Sequence, residues 1–284
     1  ALFGLLTGLI FGIAAQRSRF CLRAATVEFA QGVFGPRMSV WLLTFSTALV
    51  WVQAARLLGW VDSESARMMA IPGSWSGAII GGLMFGAGMV LARGCSGRLL
   101  VLAATGNLRS VVSGLIFAVV AQMSLHGVLS PLRSWLAGLW TTTGGRNVNI
   151  ATVLGLPQET ALAVGVVLAL LALFLAKRSN LGASRLWFGS GVGFAIATGW
   201  ILTTGLSQAS FEPVQIQSAT FSGPSAKTLI FFLDRGTVFD FDVGIIAGVV
   251  LGAFLAAASA RELQFQGFEG PRPMRQAMIG AALM

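Results

Sequence analysis

Long apolar stretches alternate with short polar segments along the whole chain. The apolar stretches cover residues 1–16, 38–60, 76–92, 110–127, 159–176, 186–206 and 243–260, and a further one begins at 277. A helix that crosses a bilayer needs about 20 predominantly apolar residues, so we expect about 8–9 transmembrane helices. The pattern predicts an all-α polytopic membrane protein that forms a single integral membrane domain over residues 1–284.

Polar segments interrupt this pattern at residues 19–23, 94–98 and 219–224. The half-apolar piece that follows the first break, residues 24–31, is too short to cross a bilayer. Non-helical backbone at membrane depth is tolerated where it lines a cavity or is buried in protein. We therefore expect broken or re-entrant helices that meet at a binding site.

Two of these breaks carry the chain's two cysteines, Cys21 and Cys95. Each cysteine has an arginine on both sides, and the flanking residues are Arg19, Arg23, Arg93 and Arg98. Charged groups inside a membrane are costly and usually functional. A thiol is a soft, weak hydrogen-bond donor, and helix N-termini attract anions. Such a site suits the weak, reversible binding of a sulfur anion in transit.

The candidate substrate pathway contains Cys21, Cys95, Gly94, Ser96, Gly97, Arg19, Arg93 and Ser222. Two plainer interpretations stay open. A buried cysteine can be only a small apolar residue, and the arginines can be topology signals.

The composition excludes several classes of protein. The chain is 55% hydrophobic and 10% charged, with a mean hydropathy of +0.80, whereas soluble domains carry about 25% charged residues. Its net charge of +9 is spread over short loops, so nucleic acid is not an expected partner. With one histidine and no cluster of ligand side chains, we expect no metal and no other cofactor.

The chain also contains a weak internal repeat, approximately 1–127 and 185–284, whose second copy is truncated at the C-terminus. Small residues recur at four-residue spacing near the start of each copy: Gly4, Gly8 and Gly12, then Gly189, Gly193 and Ala197. The distribution of arginine and lysine predicts that the two copies cross the membrane in opposite directions. An inverted repeat of this kind is typical of transporters.

The motifs at the breaks resemble the YeeE/YedE family of inner-membrane sulfur-compound transporters. They are Arg19-Phe20-Cys21, Gly86-x-Gly88-x-x-Leu91-Ala92-x-Gly94-Cys95-x-Gly97 and Phe221-Ser222-Gly223-Pro224. The resemblance implies thiosulfate uptake in a bacterial inner membrane, with three cysteines relaying the anion. Cys21 and Cys95 match the first two, and the third is expected beyond Met284. A SirA/TusA-like sulfur-carrier protein is implied as a partner by resemblance alone.

Three functions remain as alternatives. The first is a non-enzymatic transporter or conduit for thiosulfate or a related sulfur anion, relayed by thiols at a constriction. The second is a membrane thiol sulfurtransferase, which neither a Cys-x-x-Cys motif nor a cysteine–histidine pair favours. The third is a non-transporting protein that docks a soluble sulfur carrier. A selenium compound is an alternative substrate.

Overall fold

The computed structural model describes residues 1–62, 66, 69, 71–142, 153–157, 159–211, 213–268 and 270–284. The helices are α1 (Leu2–Ser18), α2 (Leu22–Ala30), α3 (Pro36–Leu57), α4 (Trp75–Leu91), α5 (Ser96–Ala104), α6 (Leu108–His126), α7 (Ser130–Gly138), α8 (Glu159–Arg178), α9 (Ala183–Ala209), α10 (Ser222–Leu233), α11 (Phe241–Ser259) and α12 (Pro271–Leu283). In these residues the chain forms helices and no β-strand, so the predicted all-α class is confirmed.

Six of the described helical stretches are long and apolar enough to cross a membrane. They contain α3, α4, α6, α8, α9 and α11, while α1 is apolar but spans 17 residues. The stretch Trp75–Ala104 contains a window apolar enough to span, but its backbone breaks between α4 and α5, at the polar segment that carries Cys95. The polytopic architecture is confirmed, and the larger number of spans expected from the sequence stays a prediction.

Helices α1 and α11 form the most extensive interface in the described chain. The contact is made by glycines: Gly4, Gly8 and Gly12 of α1 lie against the backbone of Phe241, Ile245 and Val249. Glycines of α11 lie in the same way against the backbone of α1. Because apolar side chains gain little by leaving lipid, close backbone packing is what holds such helices together.

Helix α9 packs on α3 through a related contact. A Cβ at Gly193 would lie 2.6 Å from the carbonyl oxygen of Thr44. The hydroxyl of Thr44 donates to the carbonyl oxygen of Gly189 at 2.9 Å. Helix α1 also contacts α9, and side chains of α1, α5, α9 and α11 form a core that includes Phe11, Val101, Val192 and Ile245.

The short helices occupy the spaces between these long ones. Helices α2, α5 and α10 have 9, 9 and 12 residues, too few to cross a bilayer. Helix α7 has no buried residue and is tied to the start of α4. There the hydroxyl of Ser76 donates to the carbonyl oxygen of Leu136 at 2.7 Å. The broken-helix pattern expected from the sequence is therefore present.

Candidate functional site

The first break turns the chain sharply between α1 and α2. Arg19 adopts the left-handed conformation, with φ 55°. The backbone N–H of Phe20 donates to the carbonyl oxygen of Ala15 at 3.1 Å, which closes the end of α1. Cys21 is then extended and stands at the N-cap of α2.

The second break repeats this geometry between α4 and α5. Arg93 is left-handed, with φ 58°, and the N–H of Gly94 donates to the carbonyl oxygen of Met89 at 3.0 Å. Cys95 is extended and stands at the N-cap of α5. Each cysteine thus lies two residues after a left-handed arginine and begins a helix of 9 residues.

Neither cysteine caps its helix with its side chain. The first N–H groups of α2 and α5 therefore make no hydrogen bond of ordinary capping geometry to these side chains. The sulfur of Cys95 faces the backbone N–H groups of Arg98, in its own helix, and of Leu22, in α2. Cys21, whose peptide bond carries that Leu22 N–H, therefore lies close to Cys95. The two breaks therefore meet, and both helix N-termini direct N–H groups toward one sulfur atom.

A cavity of about 220 Å³ opens at this meeting point. Its polar wall is the start of α5, comprising Cys95, Ser96, Gly97 and Arg98. Its apolar wall is part aliphatic and part aromatic, and its aromatic residues are Phe11, Phe20, Trp41, Phe85 and Phe221. Cys21 itself is not among the lining residues, but its two neighbours in sequence, Phe20 and Leu22, are. A small polar patch in an otherwise apolar cavity is typical of binding sites for small ligands.

Arg98 supplies the positive charge of the cavity wall. Its Nη1 atom is buried and has no hydrogen-bond partner within the described part of the chain. A buried donor without a partner is costly, and a charged one more so. An anion in the cavity would satisfy this guanidinium together with the N–H groups at the two helix ends.

Gly97 lets an aromatic ring close the cavity. A Cβ at this position would lie 3.0 Å from Cε2 of Phe221, which is tighter than ordinary van der Waals contact. The ring of Phe221 packs in turn on Phe11, with their centroids 4.9 Å apart. The glycine predicted as a pathway residue thus has a steric role.

Three other residues of the predicted pathway lie away from this cavity. The side chain of Arg19 is 63% exposed and pairs with Glu262 at 3.3 Å. Arg93 is exposed. Ser222 is exposed and borders a different cleft, of about 380 Å³, between α4, α6 and α7. Gly94 is buried at the break itself, in the turn that leads to Cys95.

Two residues outside the predicted set, Arg98 and Phe221, are central to the cavity. Arg98 is the third residue of α5, so it lies in the first turn of the helix that Cys95 begins. Phe221 is the N-cap of α10, at the third predicted break. The sequence marked both breaks but not which of their side chains point into the cavity.

The fold and the site together define a polytopic membrane protein whose broken helices enclose a cavity lined by a thiol and a guanidinium. The chain belongs to the Sulphur transport family, which matches residues 17–284. The resemblance that the sequence motifs indicated is thereby confirmed.

Two relatives match over nearly the whole chain. The thiosulfate transporter TsuA of Spirochaeta thermophila is 28% identical over 292 residues, which cover 99% of this chain and 84% of the relative. The thiosulfate transporter TsuA of Escherichia coli K12 is 26% identical over 304 residues, which cover 100% of this chain and 82% of the relative.

Proposed function

We propose that this protein carries thiosulfate, or a related sulfur anion, across the bacterial inner membrane through the cysteine cavity and is not an enzyme. The observation that carries the proposal is the juxtaposition of Cys95, a buried guanidinium nitrogen of Arg98 that lacks a partner, and the N-termini of α2 and α5. The names of the two relatives support thiosulfate as the substrate.

The two ends of such an anion suit the two kinds of group in the cavity. Arg98 and the backbone N–H groups suit the charged oxygen atoms. The thiol of Cys95 is a weak donor that suits the soft terminal sulfur. A weak contact matters because a bound anion must also leave. Cys21, whose neighbours Phe20 and Leu22 line the same cavity as Cys95, is the next thiol on the proposed path.

The inverted repeat belongs to the same proposal. The first helix of each copy, α1 or α9, packs against the third helix of the other copy, α11 or α3. The two first helices also contact each other. A pseudo-twofold arrangement of copies 1–127 and 185–284 would produce this reciprocal packing. The packing therefore supports a pathway at the interface between the two copies.

Uptake of radiolabelled thiosulfate into proteoliposomes tests this function. We expect uptake by the purified protein, competition by excess thiosulfate and little competition by sulfate. Cys95→Ala and Cys21→Ala should each abolish uptake while inserting normally. Wild-type uptake by both variants would reject the thiol pathway. Selenite as a competitor tests the selenium alternative.

The same preparation tests the sulfurtransferase alternative. In that reaction a cysteine thiolate would attack the terminal sulfur of thiosulfate, forming a persulfide and releasing sulfite. Mass spectrometry would then find Cys95 or Cys21 heavier by one sulfur atom, with an equivalent of sulfite formed. We expect neither change during uptake. A SirA/TusA-like carrier that accepts the delivered sulfur stays a prediction of the family resemblance.

A further inference from the structure

Two of the three short helices that begin at breaks, α2 and α10, are each fixed by charge to the N-terminus of the long helix that follows. Helix α2 leads into α3, whose N-cap is Gly35 and whose first residue is Pro36. Gly35 has no side chain to accept from the first N–H groups of α3, which are usually capped by the N-cap residue. The acceptor comes from Glu28 of α2 instead.

Glu28 is well placed for this capping role. Its Oε2 accepts from the backbone N–H of Arg37 at 3.1 Å and from that of Met38 at 2.9 Å. Its side chain is 16% exposed, and its Oε1 lies 3.9 Å from Nε of Arg37. A carboxylate at a helix N-terminus is also favoured by the helix dipole. We call this contact the Glu28 clamp.

Gly35 leaves room for the Glu28 clamp. A Cβ at Gly35 would lie 2.8 Å from Oε2 of Glu28 and 2.9 Å from its Cδ. Any larger residue would displace the carboxylate from the N–H groups it accepts from. The absence of a side chain at this N-cap therefore belongs to the same contact.

Helix α10 has an equivalent contact with α11. Asp240 is the N-cap of α11, and its Oδ1 accepts from the N–H groups of Asp242 and Val243 at 3.1 and 3.3 Å. The ammonium group of Lys227, on α10, pairs with Asp240 and lies 3.6 Å from Oδ2 of Asp242. In both places a carboxylate caps the long helix. In the first it belongs to the short helix itself, and in the second it is held by a lysine of the short helix.

The clamp matters because packing alone holds α2 weakly. Among the residues of α2, Ala25 is the one that is buried. A helix of 9 residues is stiff, so fixing Glu28 near its C-terminal end also fixes its N-terminal end. That end is Cys21. Cys21 is the extended residue just before α2, and Glu28 follows it by seven positions, about two helical turns along the helix.

We propose that Glu28 is the positioning residue for Cys21, holding the first thiol against the cavity through the clamp on α3, and that Lys227 does the same for Phe221. The proposal rests on the proposed function, since it assigns a role to the position of a pathway thiol. It assigns no contact between Glu28 and the transported anion.

The test measures the alkylation rate of each cysteine by N-ethylmaleimide, with the two sites resolved by peptide mass spectrometry. In Glu28→Gln the side chain keeps its shape but loses its charge, and we expect Cys21 to react at least about threefold faster because α2 opens more often. Cys95 should react at the wild-type rate. Thiosulfate uptake should fall by about tenfold or more, since displacements near 1 Å have large effects on function.

Three variants sharpen the result. Gly35→Ala should reproduce both effects with Glu28 intact, because the added Cβ displaces the carboxylate. Glu28→Asp keeps the charge on a shorter side chain and should give intermediate rates. Glu159→Gln, which alters an exposed glutamate at the start of α8, is the matched control and should behave as wild type.

Wild-type alkylation at Cys21 and wild-type uptake in both Glu28→Gln and Gly35→Ala would overturn the proposal. Equal acceleration at Cys21 and Cys95 would also overturn it, because general loosening of the fold would then explain the effect. Normal uptake by both Cys21→Ala and Cys95→Ala would instead reject the thiol pathway, while the alkylation rates in Glu28→Gln would still report on the clamp.

Discussion

Arg19 and Arg93 occupy equivalent backbone positions, with φ of 55° and 58°, each two residues before a cysteine. Both end an apolar helix, and both are followed by an extended cysteine that begins a short helix. The left-handed conformation costs a non-glycine residue about 1–2 kcal/mol. The left-handed turn at each arginine therefore sets the direction of the chain between the apolar helix and the cysteine that begins the next helix. This backbone role is distinct from the role of the arginine's charge.

Substitutions at Arg93 separate its backbone role from its charge. Arg93→Gly removes the side chain with its interactions but adopts positive φ freely. Arg93→Val also removes them but must adopt the same φ with a branched side chain, so its thermal midpoint in detergent should be lower and it should be less stable than Arg93→Gly by about 1–2 kcal/mol. Equal stability of the glycine and valine variants would show that the turn does not depend on this conformation.

Arg98 should determine the affinity for the transported anion. Hydrogen bonds to charged groups contribute roughly 1.5–3 kcal/mol, so Arg98→Ala should raise the KM for thiosulfate uptake roughly ten- to a hundredfold. Arg98→Lys should recover part of the loss, since it keeps the charge but not the planar geometry. Arg133→Ala is the control, because that exposed arginine borders the separate cleft. An unchanged KM in Arg98→Ala would remove Arg98 from the site.

Gly97→Ala should impair uptake without unfolding the protein. The new methyl group would press on the ring of Phe221 and narrow the cavity. Gly82→Ala is the matched control within α4, because nothing lies within 4 Å of a Cβ built there. It should retain uptake and gain up to about 1 kcal/mol of helix stability. Equal uptake by the two variants would contradict the steric role of Gly97.

Gly8→Ala should damage assembly of the whole domain. A methyl group at Gly8 would overlap the carbonyl of Ile245 and force α1 away from α11. Overpacking of this kind typically costs about 1–3 kcal/mol, so we expect a lower thermal midpoint and a lower yield of monodisperse protein. Gly205→Ala, in an open part of α9, should leave both measurements unchanged or improved. A wild-type midpoint for Gly8→Ala would contradict the observed helix packing.

The helix breaks could be predicted from the sequence because they are local. A thiol between arginines interrupts an apolar pattern wherever the helices lie, and Cys21 and Cys95 both stand at the expected breaks. The small-residue stripe of α1 was visible for the same reason. Its partner was not, since Phe241 and its neighbours on α11 lie far along the chain.

The lining of the cavity depends on tertiary packing and could not be derived from the sequence pattern. Ser222 and Phe221 are adjacent, yet only the orientation of α10 determines that Phe221 faces Cys95 while Ser222 faces another cleft. The Glu28 clamp was hidden for a similar reason. Gly35 and Pro36 signal a helix start, but the capping carboxylate belongs to a helix that folds back from the preceding break.

The pairing of α1 with α11 also determines how early during synthesis the interface between these two helices can form. Gln16 at the end of α1 bonds Glu262 just beyond α11, and 246 residues separate them. At about 5–20 residues per second, a ribosome needs roughly 12–50 s to make that length. Throughout this interval the glycine face of α1 lies in the translocon or in lipid and cannot pack against α11, which has not yet been made. Helix α1 is thus made well before the helix against which it packs, and the break at Cys21 that follows α1 cannot take its final place until α11 has been made.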